Sequence, residues 1–161
     1  MLSLFKKFII TSLLLLGLHS QVMAVEQTTV GWLENVSIDN SEFTLKSKID
    51  SGADNSSIHA KEVTQYTNNG KQWVKFALEN SQGNKNIINK PVLKTTRVKM
   101  KNGAIQKRLV IELNIALGAI KKLTKVSLVD RSHFKYQLLI GRSFLKPDFL
   151  VDSSKTYTIK Y

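Results

Sequence analysis

The sequence predicts an all-β protein, built as a small, closed, mostly antiparallel β-barrel or sandwich. Two Asn-Gly pairs, Asn69-Gly70 and Asn102-Gly103, each separate two strand-like runs, and Asn-Gly is a strong signal for a two-residue hairpin turn. Polar and apolar residues alternate in residues 96–100 and 123–129, which is typical of strands with one buried and one hydrated face. Only a short stretch near residues 142–146 is predicted to form a helical turn.

The first 24 residues (1–24) have the pattern of a secretory signal peptide. Lys6 and Lys7 supply a positive segment, an apolar run follows, and Val22-Met23-Ala24 fits a small-residue cleavage site. The apolar run is shorter than the roughly 20 residues of a membrane span. We therefore expect one mature domain, residues 25–161, that is periplasmic or secreted and not stably inserted in a membrane. An uncleaved N-terminal anchor is the alternative.

Composition limits the chemistry and the partners. The chain contains no cysteine, so it forms no disulfides and carries no lipid on a cysteine. Its formal net charge is +12, of which +10 remains once Lys6 and Lys7 leave with the signal. A charge of this sign favours an acidic partner, but the lysines are scattered along strands as in a hydrated basic face. Export argues against nucleic acid, so we expect a peptide or protein substrate, with acidic substrates as one option.

The strand-like runs follow one another without an internal repeat or a second domain. The polar segment 80–90 is predicted to be a mobile loop, and residues 116–122 a loop or hairpin with Gly118 at its tip. After the last apolar run, Gly141 precedes the helical turn, which Pro147 ends. The runs comprise residues 43–49, 58–66, 73–78, 96–100, 109–113, 123–129 and 138–140.

The tetrapeptide Asp50-Ser51-Gly52-Ala53 comes directly after the run 43–49. Glycine lets the backbone turn tightly and approach a reacting group, and alanine leaves no long side chain to block a cleft. A carboxylate in this setting suits the active-site turn of an aspartic protease. By itself the tetrapeptide also describes an ordinary surface turn.

Together with three further segments, the tetrapeptide resembles the retropepsin-like aspartic proteases, in particular a bacterial branch labelled ATP-dependent zinc proteases. The resemblance runs from about Thr29 to the C-terminus and implies a small closed antiparallel β-barrel of the retropepsin type. The matching segments are Ile49-Asp50-Ser51-Gly52-Ala53, Ser57-Ile58-His59-Ala60, Val129-Asp130-Arg131-Ser132, and residues 139–146 with residues 149–152.

The resemblance implies roles for the active-site turn. Asp50 matches the catalytic aspartate, and Ser51 the hydroxyl residue that hydrogen-bonds across a dimer interface beneath two such aspartates. Gly52 and Ala53 match cleft residues, with Gly52 receiving the substrate backbone.

Further roles follow from the same resemblance. Leu139-Ile140-Gly141 matches a strand through which the active-site loop is threaded. Arg142 matches a buried arginine that pairs with an acid, here Asp54, and the pair would support the turn. The hairpin tipped by Asn102-Gly103 corresponds to a flap that closes over substrate.

The chain has one such motif, so a catalytic pair of aspartates requires two chains. Asp152-Ser153-Ser154 is the nearest rival, but it lacks glycine and is predicted to open a C-terminal hairpin. Two close carboxylates share one proton, which lets one activate water while the other assists the carbonyl. We therefore expect a homodimeric aspartic endopeptidase. A non-catalytic periplasmic binding or assembly module with the same fold is the alternative.

No cofactor or metal is expected. The mature chain has only His59 and His133, without a zinc-binding motif, whereas catalytic zinc usually has three protein ligands. The sequence also lacks the glycine-rich phosphate loop of ATP-binding proteins. Arg131 is either a surface partner of Asp130 or part of a cleft wall, and the sequence leaves both open.

Overall fold

A computed structural model describes residues 26–39, 41–100 and 102–160, so the predicted signal peptide 1–24 lies outside the described residues. No helix of the described residues is long and apolar enough to cross a membrane. The elements are β1 (Thr28–Ile38), β2 (Thr44–Ile49), β3 (Ser56–His59), β4 (Lys61–Asn68), β5 (Lys71–Glu79), β6 (Lys85–Pro91), β7 (Lys94–Lys99), β8 (Ile105–Leu117), β9 (Ile120–Val129), β10 (Leu138–Ile140), the helical turn α1 (Arg142–Leu145) and β11 (Phe149–Thr156).

The larger sheet closes on itself. Its eight strands run in the order β11-β1-β2-β10-β3-β9-β8-β7, and an additional pairing of β1 with β8 joins six of them into a ring. Strands β4, β5 and β6 form a separate antiparallel sheet. The predicted fold class is confirmed: the chain is almost entirely β with one short helical turn, and the closed sheet agrees with a retropepsin-like fold.

The hairpins form where the turn residues predict them. Asn69 (φ 47°) and Gly70 (φ 72°) are both left-handed, as a type I′ turn requires, and they join paired residues Asn68 and Lys71. Gly103 has φ 82° in the turn between β7 and β8. Gly118 (φ 60°) sits between β8 and β9, so the 116–122 segment is a hairpin.

Alternating burial along the ring strands produces the core inside it. In β9, for example, Thr124, Val126 and Leu128 are buried while Leu123 and Lys125 are exposed. The apolar side chains on this inner face are buried away from water, and their burial stabilises the closed sheet. The aromatic rings of Phe144 in α1 and Phe149 in β11 stack with their centres 5.6 Å apart.

The predicted mobile loop at 80–90 is wrong for most of its length. Strand β6 begins at Lys85 and pairs with β5 throughout, so only residues 80–84 form the turn. Ile88, opposite Phe76, is buried and holds the polar strand against the core. One buried apolar side chain was too weak a local signal to outweigh the Asn- and Lys-rich composition.

The predicted hairpin at Asp152-Ser153-Ser154 is also wrong. These residues lie within β11, which runs parallel to β1. The register moves from Gly31 opposite Asp152 to Leu33 opposite Thr156, so β11 bulges here. Asp152 Oδ1 accepts hydrogen bonds from the Ser154 amide and hydroxyl, a local pattern that bulges and hairpin turns share.

A fully buried carboxylate, Glu34 in β1, anchors the chain that follows β11. It accepts hydrogen bonds from the Gly31 amide (2.8 Å), the Thr158 amide (2.9 Å) and hydroxyl (2.6 Å), and the Ile159 amide (3.3 Å). No lysine or arginine among the described residues forms an ion pair with Glu34. Backbone amides and one hydroxyl therefore replace its hydration, and the C-terminal segment is fixed across β1.

Glu34→Leu is expected to lower the free energy of unfolding by about 3 kcal/mol, because the buried Gly31 N–H and the half-buried Thr158 and Ile159 N–H groups lose an acceptor. Urea unfolding of this variant and of the exposed-site control Glu42→Leu would measure the loss. Equal stability of the two variants would show that Glu34 does not anchor the C-terminal segment.

Candidate active site

Three parallel strand pairings bring distant parts of the chain to one place. β2 pairs in parallel with β10, β3 with β9, and β1 with β11. The chain leaves β2 at Asp50 and enters β3 at Ser56 on the other side of β10. The turn formed by residues 50–55, hereafter the active-site turn, therefore spans the end of β10.

The end of β10 and the start of α1 hold this turn by backbone hydrogen bonds. The Asp50 amide donates to the Ile140 carbonyl (2.9 Å), and the Arg142 amide donates to the Ala53 carbonyl (2.9 Å). The Ser143 amide donates to the Asp54 carbonyl (3.0 Å). The turn is thus attached at both ends to the Gly141 region, as the predicted threading requires.

Gly141 is where the two chain segments come closest. A Cβ at this position would lie 2.7 Å from the Asn55 carbonyl carbon, 2.8 Å from its oxygen and 3.0 Å from the Ala53 oxygen. The Gly141 amide donates to the Ser56 hydroxyl (3.1 Å). Only glycine fits without movement of the active-site turn.

Each oxygen of the Asp50 carboxylate contacts a nearby residue of the same chain. Oδ1 accepts the Gly52 amide (3.0 Å), and Oδ2 lies 3.3 Å from Lys48 Nζ. The Asp50 side chain is 25 % exposed, so it remains open to a reactant. Sequence reasoning missed Lys48, although alternation along a strand places residues two apart on one face.

The predicted Asp54–Arg142 ion pair is present. Arg142 Nη2 contacts Asp54 Oδ1, and Nη1 donates to the Ser51 carbonyl (2.7 Å). The arginine therefore bridges two points of the active-site turn. The expectation of a buried arginine is wrong, because the side chains of Arg142 and Asp54 are 35 % and 78 % exposed. Both residues lie where the turn faces solvent, so their pairing supports the turn at the surface.

A cleft of about 360 Å³ borders the active-site turn. Ala53 and Asp54 of the turn line it, together with Thr96 and Val98 of β7. Asn102 and Gly103, the predicted flap-tip residues, are exposed and do not line this cleft. The body of the β7–β8 hairpin, rather than its tip, therefore contributes to the cleft. Four cationic residues line the cleft: Lys94, Arg108, Lys125 and Arg131.

Arg131 belongs to the cleft wall, which decides between the two alternatives that the sequence left open. It is buried, and its Nη1 donates to the Ser57 hydroxyl (3.0 Å) while Nε donates to the Tyr136 carbonyl (3.2 Å). Burial and the nearby Arg108 lower the pKa of Arg131, whereas the charge of Asp50 raises it. Arg131 thus lies within electrostatic reach of the candidate catalytic carboxylate.

The cationic residues of the cleft outnumber its acidic residues, of which Asp54 is the one in the lining. Among the described residues, none of Lys94, Arg108, Lys125 and Arg131 forms an ion pair with a carboxylate. Burial also lowers the pKa of Arg108, in line with incomplete hydration of that guanidinium. An anion in this cleft would supply the missing counter-charge.

The two histidines lie in different environments. His59 is buried and its Nδ1 accepts the Arg131 amide (2.8 Å), whereas His133 is exposed. In the part of the chain that the structure describes, no group of three or more His, Asp or Glu residues is arranged to hold a metal ion.

Comparisons with known proteins agree with this geometry. A RimB-like family model, described as the retropepsin-like aspartic endopeptidase RimB, matches residues 29–161. A crystal structure of the Legionella pneumophila protein Lpg0085, described as of unknown function, superimposes with a TM-score of 0.71 at 28% identity, covering 83% of this chain and 98% of that one.

Curated relatives carry a different name. A "Probable alpha-L-glutamate ligase" of Shewanella halifaxensis is 34% identical over 118 residues, and one of Shewanella pealeana is 33% identical over 118 residues. The match covers 71% of this chain but 26% of each ligase, so the chain spans about a quarter of their length. Since the family model covers residues 29–161, the chain belongs to the RimB-like family of retropepsin-like aspartic endopeptidases.

Proposed function

We propose that the protein is an aspartic endopeptidase in which Asp50 is the catalytic residue. The observation that carries the proposal is the Asp50 carboxylate at the end of β2, oriented by the Gly52 amide at 3.0 Å and followed three residues later by Ala53, which lines a cleft. Ala53 lines that cleft, so a peptide bound there would pass close to the carboxylate.

One carboxylate cannot act as base and acid in the same step, so the proposal includes a second copy of the chain. In a two-fold symmetric dimer, two Asp50 side chains would face each other and share one proton. The ionised carboxylate takes a proton from water, whose oxygen attacks the peptide carbonyl. The protonated carboxyl donates its proton to the developing oxyanion. As the C–N bond breaks, the leaving amine takes the proton that the first carboxylate removed from water, and a hydroxyl of the intermediate returns a proton to the second carboxylate.

The surrounding residues have supporting roles in this proposal. Ser51 is exposed beside Asp50 and would hydrogen-bond across the dimer interface beneath the catalytic pair. Gly52 would receive the substrate backbone. The exposed tip at Asn102 and Gly103 would close over the bound peptide and exclude water.

The charge of the cleft supports a substrate with acidic side chains. Arg131 is buried and Arg108 half-buried, and neither forms an ion pair with a carboxylate among the described residues, so a substrate carboxylate would pair with them. The glutamate ligase names of the curated relatives are compatible with glutamate-containing substrates. We also propose, from the pattern in residues 1–24, that the domain acts in the periplasm or outside the cell.

A random peptide library tests the endopeptidase proposal against its alternatives. Incubation in the acid range is expected to yield internal cleavages, enriched beside Glu and Asp, that a metal chelator does not affect. Loss of cleavage with chelator would instead indicate a metal hydrolase. Peptide binding without any cleavage would favour the non-catalytic binding module.

A further inference from the structure

Strand β3 fastens both ends of the segment 130–137, which joins β9 to β10. The His59 amide donates to the Gln137 carbonyl (2.7 Å) at one end of the segment. At the other end, His59 Nδ1 accepts the Arg131 amide (2.8 Å). One residue therefore fixes the segment at two points, through its backbone and through its imidazole.

Ser57 lies two residues before His59, on the same face of β3. Its hydroxyl accepts a hydrogen bond from Arg131 Nη1 (3.0 Å). Two side chains of β3 thus bind Arg131: His59 binds its main chain, and Ser57 binds its guanidinium. Since β3 begins directly after the active-site turn, these contacts also fix Arg131 relative to Asp50.

The guanidinium keeps donors available to a ligand. Nε donates to the Tyr136 carbonyl and Nη1 to Ser57, and the group lies 4.6 Å from the centre of the Phe134 ring. A guanidinium has five N–H donors, and these contacts occupy two of them. Arg131 lines the cleft, so its remaining donors can serve a bound carboxylate there.

The acceptor role of His59 fixes its tautomer. Because Nδ1 accepts an N–H group, the ring proton resides on Nε2. Asp130 Oδ1 is 3.5 Å from the same Nδ1, but it accepts the Ser132 amide at 2.9 Å. The Nδ1 lone pair is therefore committed to the Arg131 amide.

We infer that His59 is a positioning residue for substrate recognition: its Nδ1 fixes the Arg131 main chain so that the guanidinium meets a substrate carboxylate in the cleft. The inference rests on the proposed function of that cleft, and it assigns His59 neither to a metal nor to the chemical step. Its test therefore measures binding apart from cleavage.

Binding is measured by calorimetry in an Asp50→Asn background, with a glutamate-containing octapeptide and the same peptide with glutamine in place of glutamate. His59→Leu is expected to weaken binding of the glutamate peptide about tenfold, with binding of the glutamine peptide unchanged. His59→Asn, whose side-chain oxygen can replace Nδ1 as acceptor, is expected to restore the preference. Arg131→Met should abolish it, whereas the exposed-site control His133→Leu should leave it unchanged.

Ser57→Ala keeps the test valid if His59→Leu does not fold. It removes the second contact of β3 with Arg131 and should also weaken only the glutamate peptide. The inference is overturned if His59→Leu and His59→Asn behave alike, if both peptides are weakened equally, or if Ser57→Ala keeps the full preference. It is also overturned if the Asp50→Asn protein binds the glutamate peptide no more tightly than the glutamine peptide. A lack of cleavage by the unmodified protein would instead contradict only the peptidase proposal.

Discussion

Asp50→Asn is expected to lower kcat/KM for peptide hydrolysis by about a thousandfold or more, because the variant loses both the base and the acid of the catalytic pair. Asparagine keeps an oxygen where Asp50 Oδ1 accepts the Gly52 amide, so the active-site turn should remain intact. A fluorogenic peptide identified from the library would give the rates, and thermal unfolding would confirm that the variant is folded.

The matched control for this prediction is Asp152→Asn, which changes the only other Asp-Ser pair of the mature chain that could be mistaken for the motif. Asp152 lies in the bulge of β11, where Ser154 and Lys155 lower its pKa to about 2. Activity should be unchanged in this control. Full activity in Asp50→Asn, or equal losses in both variants, would remove Asp50 from the mechanism.

Gly141→Ala is the second substitution with a large expected effect. Its Cβ would come within 3.0 Å of backbone atoms of Asn55 and Ala53, which cannot rotate away as a side chain could. We expect a loss of about 2–3 kcal/mol in the free energy of unfolding, as for other overpacked sites. The active-site turn must shift to make room for the Cβ. We therefore expect kcat to fall by much more than the decrease in the folded fraction would explain.

Gly70→Ala provides the comparison. Gly70 lies at the tip of the β4–β5 hairpin, where an added Cβ would meet open space, so only the left-handed backbone resists alanine, at about 1 kcal/mol. Urea unfolding and the peptide assay would be run on both variants. If Gly141→Ala were as stable and as active as Gly70→Ala, the close approach at Gly141 would not support the site.

Local signals accounted for the hairpins, because the turn chemistry of Asn69-Gly70 and Gly118 acts within a few residues. The parallel pairings of β2 with β10 and of β3 with β9 could not be predicted in the same way. They join segments that lie far apart in the sequence, and no nearby residue specifies a partner strand. Resemblance to a family, rather than pattern, connected Gly141 with the active-site turn.

The same distinction applies to the candidate site. Asp50 and the Asp54–Arg142 pair were predicted, whereas the contact of Lys48 with Asp50 was missed although strand alternation could have revealed it. The cleft position of Arg131 had no local signal. The Arg131 amide is bound by His59, which is remote in sequence and reaches Arg131 only because β3 and β9 are paired.

The most direct test of a catalytic pair shared by two chains is a mixing experiment. Unmodified and Asp50→Asn chains would be combined at fixed total concentration, allowed to exchange subunits, and assayed for hydrolysis across a range of ratios. If each site needs Asp50 from both chains, activity falls with the square of the unmodified fraction and reaches about one quarter at equal amounts. A linear decrease, with about one half remaining at equal amounts, would mean that each chain acts alone and would contradict the shared catalytic pair.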